Sequence, residues 1–265
     1  MTANTAVRIN PARSRMPTNA AAGANRGKIA QCTTTCSTCN LRELCVPCCG
    51  LTRSEMDVAD RLVFTRARVR RGEILYRAGD RFTALYAVRN GFFKSTALLE
   101  NGRDQVTGFS MTGEILGMDS IGPEQHLSNA TALEDSEVCA IPFAGLQLLA
   151  HEIPCLQRQF HRTMSREIVR ERGVILLLGS MTAEERIAMF LLNLSQRFAA
   201  RGYSRAEFYL RMTREEIGSY LGLKLETVSR IFSKFQHKGM IGVQQKYIRI
   251  LDSASLERVM DRGLD

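Results

Sequence analysis

Between Arg71 and about Phe143, short apolar runs alternate with glycines. The runs are EILYRAGD, ALYAVRNG, FFKSTALLENG, QVTGFSMTGEILG and NATALEDSEVCAIPF. Runs of this length that end in turn residues are typical of β-strands. The Asn101-Gly102 pair favours a hairpin turn, in which both central residues need positive φ. We therefore predict an antiparallel barrel or double-sheet roll, a shape that suits a sensory domain.

The segment before these runs, LTRSEMDVADRLVFTRARVR, carries apolar residues at helical spacing. Met56, Ala59, Leu62 and Val63 fall on one face, which predicts one short amphipathic helix. Residues 1–30 show no periodicity and are rich in Asn, Ala, Thr, Gly and Arg. That composition predicts a disordered basic tail.

From about Leu156 to Thr182 the apolar positions step by three and four residues. They are Phe160, Met164, Ile168, Ile175 and Leu178. This spacing is that of a coiled-coil seam, and Glu171 falls within it. One interpretation is a core helix with a polar residue at its edge. The other, which we favour, is a two-stranded dimer helix with Ile168, Glu171, Ile175 and Leu178 at the interface. Two Glu171 carboxylates facing each other would repel and lose hydration, which weakens the dimer.

Two capping boxes predict the helices that follow. Thr182 with Glu185 opens EERIAMFLLNLSQRFAARG, which Gly202 would end. AEFYLRM, residues 206–212, is then expected to be a short strand. Thr213 with Glu216 opens a second helix.

The passage MTREEIGSYLGLKLETVSRIFSKFQHKGMIGVQQKYIRILD has helix-turn-helix spacing. Gly222 permits the tight turn, and Leu223 and Val228 fill the space between the helices. A second helix from about Leu225 to Lys238 ends at Gly239. Two short strands around a Gln-Gln-Lys turn would form a wing. Any helix pair with a glycine turn shares part of this pattern, but here all its parts agree, which favours DNA binding.

The second helix presents Glu226, Ser229 and Arg230 near its N-terminus, the end that enters the major groove. Arginine can pair with guanine O6 and N7, and glutamate can accept from cytosine N4. The other candidate DNA contacts are Lys224, Thr227 and Lys234, and further lysines suited to phosphates are Lys238 and Lys246. A net charge of +9 agrees with an anionic partner.

Six of the eight cysteines lie between Cys32 and Cys49. The first thirty residues contain no apolar run that could serve as a signal peptide or a membrane span. We therefore expect a cytoplasmic protein, with no membrane partner, whose thiols are ligands rather than disulfides. Cys36, Cys39 and Cys45 have the spacing C-x2-C-x5-C, which lacks the second pair of a zinc ribbon.

An iron–sulfur cluster needs four thiolates, and the fourth can come from a distant strand. Cys139, in the run SEVCAIPF, is the candidate. From the residues alone, Cys139 is more often an ordinary buried side chain.

The order of roll, long helix and winged helix-turn-helix resembles the CRP/FNR superfamily of bacterial transcription regulators, and within it the FNR branch. The resemblance covers residues 32 to 252. It is carried by the motifs CSTCNLRELC, GFSMTGEILGMDSIG, EVCAIPF, AEERIAMFLLNLSQRFAARG and the helix-turn-helix passage.

The resemblance implies that Cys36, Cys39, Cys45 and Cys139 hold a [4Fe-4S] cluster. An intact cluster would favour the homodimer and its binding to an inverted repeat of TTGAT-type half-sites in double-stranded DNA. Oxygen would convert the cluster to [2Fe-2S] and switch binding off. The resemblance also implies contacts with RNA polymerase near Gly102 and Asp135.

Four alternatives differ in chemistry. A cyclic-nucleotide sensor of this superfamily has an Arg-Ser pair in the roll, but Leu127 precedes Ser128 here, so no cyclic nucleotide is expected. A haem sensor leaves the cysteine loop unexplained. A DNA-binding regulator with a structural zinc or redox-thiol loop remains the second hypothesis. An enzyme is not expected, because no nucleophile–base pair and no phosphate loop occur.

The sequence thus predicts an α+β protein. Its parts are a disordered basic tail (1–30), a cysteine-rich cluster-binding loop (31–50), an antiparallel β-roll sensory domain (51–152), a dimerisation helix (153–182) and a winged helix-turn-helix domain (183–265). Lys224 stands where a helix N-cap is usually Ser or Thr. Cys32, Cys48, Cys49 and Cys155 receive no role.

Overall fold

A computed structural model describes residues 52–59, 65–99 and 102–261. The helices are α1 (Arg53–Ala59), α2 (Phe143–Glu152), α3 (Pro154–Ser180), α4 (Ala183–Ala199), α5 (Arg214–Leu221), α6 (Leu225–His237) and α7 (Ser253–Asp261). The strands are β1 (Thr65–Val69), β2 (Ile74–Tyr76), β3 (Ala84–Asn90), β4 (Phe92–Leu98), β5 (Asp104–Met111), β6 (Ile115–Leu116), β7 (Asn129–Ala132), β8 (Ser136–Pro142), β9 (Glu207–Tyr209), β10 (Ile241–Gln244) and β11 (Tyr247–Ile250).

Contacts between Cα atoms divide the chain inside α3 into two compact units, one ending at Met164 and the other beginning at Ser165. The domain boundaries derived from the sequence stay predictions. No helix in the described ranges is both long enough and apolar enough to cross a membrane.

The first unit is a roll of two antiparallel four-stranded sheets, β1-β8-β3-β6 and β2-β7-β4-β5. Its inner core contains Val88 and Val138 from one sheet and Tyr76 and Phe93 from the other. Since successive strand residues point to opposite faces, Leu85 and Ile141 lie on the outer face of the first sheet. There they pack against α2 and the start of α3. The predicted double-sheet roll is confirmed.

The predicted helix before the roll is present as α1, Arg53–Ala59, whereas Leu62 and Val63 fall outside the described residues. The next residues, Thr65–Val69, form strand β1, which the sequence analysis did not predict. Pairing with β8, from Thr65 opposite Ala140 to Val69 opposite Ser136, determines the extended conformation.

The second unit contains α4 to α7 and the three-stranded sheet β10-β11-β9. Both predicted capping boxes are present: Thr182 with Glu185, and Thr213 with Glu216. The predicted strand over 206–212 is shorter, at Glu207–Tyr209. The wing is confirmed as hairpin β10–β11, with Gln245 at φ 57° in its turn.

Candidate functional site

Helix α6 has one buried and one exposed face. Val228, Ile231, Phe232 and Phe235 are buried at helical spacing. Glu226, Ser229 and Arg230, the predicted base-reading residues, are all exposed. The buried stripe fixes the rotation of the helix, so these three side chains point to solvent together.

The turn between α5 and α6 depends on two glycines. Gly222 ends α5 with φ 65°, a left-handed conformation that glycine adopts without steric cost. A Cβ on Gly218 would lie 2.6 Å from the carbonyl oxygen of Leu223. The backbones therefore approach closely, and Leu223 N donates to Gly218 O at 2.8 Å. Val228 is fully buried beneath this turn, as predicted.

The N-terminus of α6 has no side-chain cap, in agreement with the atypical Lys224 at the N-cap position. Lys224 is exposed and Thr227 is half-buried. The first backbone N–H groups of a helix lack intrahelical acceptors. Together with the helix dipole and the Lys224 ammonium, they make this end attractive to an anion.

Two predicted phosphate-binding lysines already have partners. Lys234 forms an ion pair with Glu184 in the first turn of α4. The Nζ of Lys246 donates to the carbonyl oxygen of Arg211 at 3.2 Å. Both ammonium groups are exposed, so these contacts leave them accessible to further acceptors.

Arg214, which the sequence analysis missed, lies at the first position of α5. The carbon of its guanidinium is 3.4 Å from the centroid of the Phe232 ring. Burial lowers the pKa of Arg214 to about 10. Within the described part of the chain, its Nη1 atom is buried without a hydrogen-bond partner. The sequence did contain a signal for Arg214, because it is a basic residue directly after Thr213, the N-cap of the helix that precedes α6.

The predicted dimer seam on α3 is exposed in the single chain. Ile168, Ile175 and Leu178 have relative exposures of 49%, 68% and 38%. Glu171 is also exposed. An apolar stripe this accessible to water is typical of a helix that packs against a partner.

Of the four predicted cluster ligands, Cys139 lies on β8, and Cys36, Cys39 and Cys45 fall outside the described residues. Cys139 is opposite Arg66 of β1 and Ala87 of β3. Its half-buried side chain packs against the outer apolar cluster, as do Cys155 and Phe160. In the ranges that the structure describes, no three His, Cys, Asp or Glu side chains come together as metal ligands would.

A polar cluster of Asp119, Ser120, His126 and Ser128 lies in the roll next to Leu127. The Oγ of Ser128 donates to Oδ2 of Asp119 at 3.0 Å, and the Oγ of Ser120 donates to Oδ1 at 3.1 Å. His126 Nδ1 lies 2.8 Å from the Oγ of Ser120, and its ring stacks on Tyr76 with centroids 3.7 Å apart. The Ser128 hydroxyl is thus hydrogen-bonded to the carboxylate of Asp119.

Comparisons with known proteins agree with both units. Residues 185–259 match the Crp-like helix-turn-helix domain, and residues 66–152 match the cyclic nucleotide-binding domain. The transcriptional regulatory protein btr of Bordetella pertussis is 48% identical over 85% of this chain and 93% of its own length. The fumarate and nitrate reduction regulatory protein of Escherichia coli K12 is 44% identical over 86% of this chain and 91% of its own length.

Among solved structures, FixK2 from Bradyrhizobium japonicum superposes with a TM-score of 0.69 and 30% identity. The match covers 75% of this chain and 98% of FixK2. The chain therefore belongs to the CRP/FNR family of transcription regulators, which are not enzymes.

Proposed function

We propose that this protein is an oxygen-responsive transcription regulator that binds inverted-repeat DNA as a dimer under anaerobic conditions. In this proposal a [4Fe-4S] cluster on Cys36, Cys39, Cys45 and Cys139 promotes dimerisation, and its reaction with oxygen switches DNA binding off. The names of two relatives support the link to anaerobic metabolism: the fumarate and nitrate reduction regulatory protein, and the anaerobic regulatory protein of Aggregatibacter actinomycetemcomitans, 44% identical.

The exposed face of α6 is the main observation that supports the proposed DNA binding. Glu226, Ser229 and Arg230 supply an acceptor, a hydroxyl and a bidentate donor on consecutive turns. These are the groups that distinguish base edges in the major groove. The buried stripe beneath them holds the helix rigid, so base contacts do not require ordering of a loop.

Phosphate contacts would surround this face. Lys224 and the uncapped N-terminus of α6 form one candidate position. Arg214 would form another, because its Nη1 donor has no partner among the described residues and guanidinium–phosphate hydrogen bonds are strong. Lys234 can exchange Glu184 for a phosphate. Such contacts make affinity depend strongly on salt.

The exposed seam of α3 supports a homodimer. Ile168, Ile175 and Leu178 would pack against the same residues of a second copy, which removes apolar surface from water. Two helix-turn-helix units related by a twofold axis suit an inverted repeat. RNA polymerase is the proposed further partner, as the family resemblance implies.

The environment of Cys139 fits a cluster ligand. Its thiol is half-buried on the outer face of β8, and the apolar cluster beside it includes Leu156 and Phe160 of α3. When bound, a [4Fe-4S] cluster is held by four thiolates and supplies an oxygen-sensitive link between the cysteine loop and β8. Cys36, Cys39 and Cys45 would thereby hold the N-terminal segment against the apolar cluster on which the dimer helix begins. That packing would offset the repulsion between Glu171 residues.

The roll is proposed to bind no cyclic nucleotide. The serine that would hold the phosphate, Ser128, donates instead to Asp119. A carboxylate at this position repels a phosphodiester. The expected result is that cyclic AMP changes neither the unfolding midpoint nor DNA affinity.

The deciding experiment is anaerobic purification with assay of iron, sulfide and zinc, followed by light scattering and DNA titration as air is admitted. We expect about four irons and four sulfides per chain, and a dimer whose mass and DNA affinity both fall in air. Cys139→Ser should lose iron, whereas Cys155→Ser, which removes a cysteine packed on the same apolar cluster, should retain it. Zinc without sulfide and a mass indifferent to air would favour the structural-metal alternative.

A further inference from the structure

The guanidinium of Arg186, on the first turns of α4, contacts three backbone carbonyls. Its Nε donates to Met181 O at 2.9 Å, its Nη2 to Leu178 O at 2.8 Å and its Nη1 to Leu221 O at 3.0 Å. Each of its three nitrogens therefore has a separate acceptor. The side chain is half-buried.

The three acceptors belong to the ends of two helices. Leu178 O lies at the end of α3 and Met181 O just beyond it, whereas Leu221 O ends α5. The last carbonyls of a helix have no intrahelical donor and carry the negative end of the helix dipole. One cation therefore satisfies both helix ends at once, and its planar geometry constrains their relative orientation.

Leu178 adds a second contact at the same place. Its Cδ2 and the Nη1 of Arg186 each lie 3.5 Å from the position that a Cβ on Gly222 would occupy. Leu178 is also the last residue of the exposed seam on α3. The seam and the turn before α6 thus meet at one residue pair, Leu178 and Gly222.

We propose that Arg186 is a positioning residue that sets the orientation of the helix-turn-helix relative to the end of the dimer helix. This inference rests on the proposed function, because orientation matters only when two copies read two half-sites. Arg186 itself touches no base. It acts by fixing the distance and angle between the two α6 helices of a dimer, which determines the half-site spacing that the dimer accepts.

Lysine cannot replace this arginine. A lysine ammonium has its donors on one nitrogen, whereas the guanidinium presents donors on three nitrogens in a fixed plane. Arg186→Lys keeps the charge and most of the stem but can no longer hold three carbonyls at once. Arg186→Gln removes the charge as well. Arg197→Gln, about three turns further along α4, is the matched control.

The test uses full-length protein, purified without oxygen, and duplexes that carry inverted TTGAT half-sites. One series varies the number of base pairs between the half-sites, and the spacing that the wild type binds most tightly is the reference. A second series has a single half-site. At the reference spacing we expect both Arg186 variants to lose roughly 5- to 50-fold in affinity. The affinity for the single half-site should be unchanged. The affinities of each variant for the different spacings should become more alike than those of the wild type. Arg197→Gln should match the wild type.

Two outcomes would overturn the proposal. A spacing profile like that of the wild type would mean that Arg186 does not set the orientation. An equal loss of affinity at the single half-site would mean that Arg186 maintains the fold of the helix-turn-helix rather than its orientation. In that case the unfolding midpoints of both Arg186 variants would also be lower than that of the wild type. If the wild type binds none of the duplexes, the proposed DNA-binding function fails instead, which is a separate result.

Discussion

The guanidinium of Arg214 lies against the ring of Phe232, 3.4 Å from its centroid, so a cation at the start of α5 rests on the buried face of α6. Although burial lowers the pKa of Arg214 to about 10, the group is charged at neutral pH. Its Nη1 atom has no hydrogen-bond partner among the described residues. A buried donor without an acceptor is costly, and a DNA phosphate would supply one.

Arg214→Gln should therefore weaken DNA binding and reduce its salt dependence. Removing one phosphate contact lowers the slope of log affinity against log salt by about one for each subunit. The measurement is fluorescence anisotropy at several salt concentrations. Arg258→Gln is the control, because it removes an exposed arginine on α7. An unchanged slope in Arg214→Gln would exclude a phosphate contact.

The ion pair between Lys234 and Glu184 provides a second prediction. Their side chains are 44% and 36% exposed, and such pairs contribute at most about 1 kcal/mol. Glu184→Gln should release Lys234 for a phosphate and tighten DNA binding about two- to fivefold at low salt. The control is the same change in a Lys234→Gln background, where no gain is expected. An equal gain in both backgrounds would indicate a general charge effect.

Local patterns in the sequence sufficed for much of the fold. The capping boxes at Thr182 and Thr213 depend on residues three positions apart, and Gly222 stands where only a left-handed residue closes the turn. Strand β1 could not be predicted in this way, because its conformation depends on β8, about seventy residues later in the chain.

The candidate site likewise combines features that local sequence patterns predict with contacts that they cannot predict. Exposure of Glu226, Ser229 and Arg230 follows from the 3.6-residue period of α6. The pairing of Lys234 with Glu184 links residues 50 positions apart. Arg186 likewise reaches Leu221, 35 positions away. Contacts of this kind depend on how helices pack, which no local pattern encodes.

The third prediction concerns the effect of Glu171, in the exposed seam of α3, on dimerisation. Carboxylates that face each other across a dimer repel and lose hydration. Glu171→Ala should therefore lower the monomer–dimer dissociation constant, by about tenfold for each 1.4 kcal/mol of relieved repulsion. Sedimentation equilibrium of the protein in air measures this constant. Glu257→Ala, on α7, is the charge-matched control. A dissociation constant that is unchanged or higher would contradict the seam assignment.

The buried His126 predicts how stability depends on pH. Burial lowers the pKa of His126, although the carboxylates of Asp119 and Asp80 act in the opposite direction. The ring stacks on Tyr76 and lies edge-on to Phe82. In the unfolded chain the imidazole recovers its ordinary pKa, near 6.5. The unfolded state therefore binds a proton more readily than the folded state as the pH falls below that value.

The free energy of unfolding should accordingly be highest above the ordinary histidine pKa and decrease as the pH falls towards the lowered pKa of the folded state. His126→Gln removes the titrating ring and should flatten this decline, even if the variant is less stable throughout. His161→Gln, at an exposed position on α3, should leave the slope unchanged. Urea unfolding followed by circular dichroism suits a chain without tryptophan. If His126→Gln declines as steeply as the wild type, another group controls the acid sensitivity.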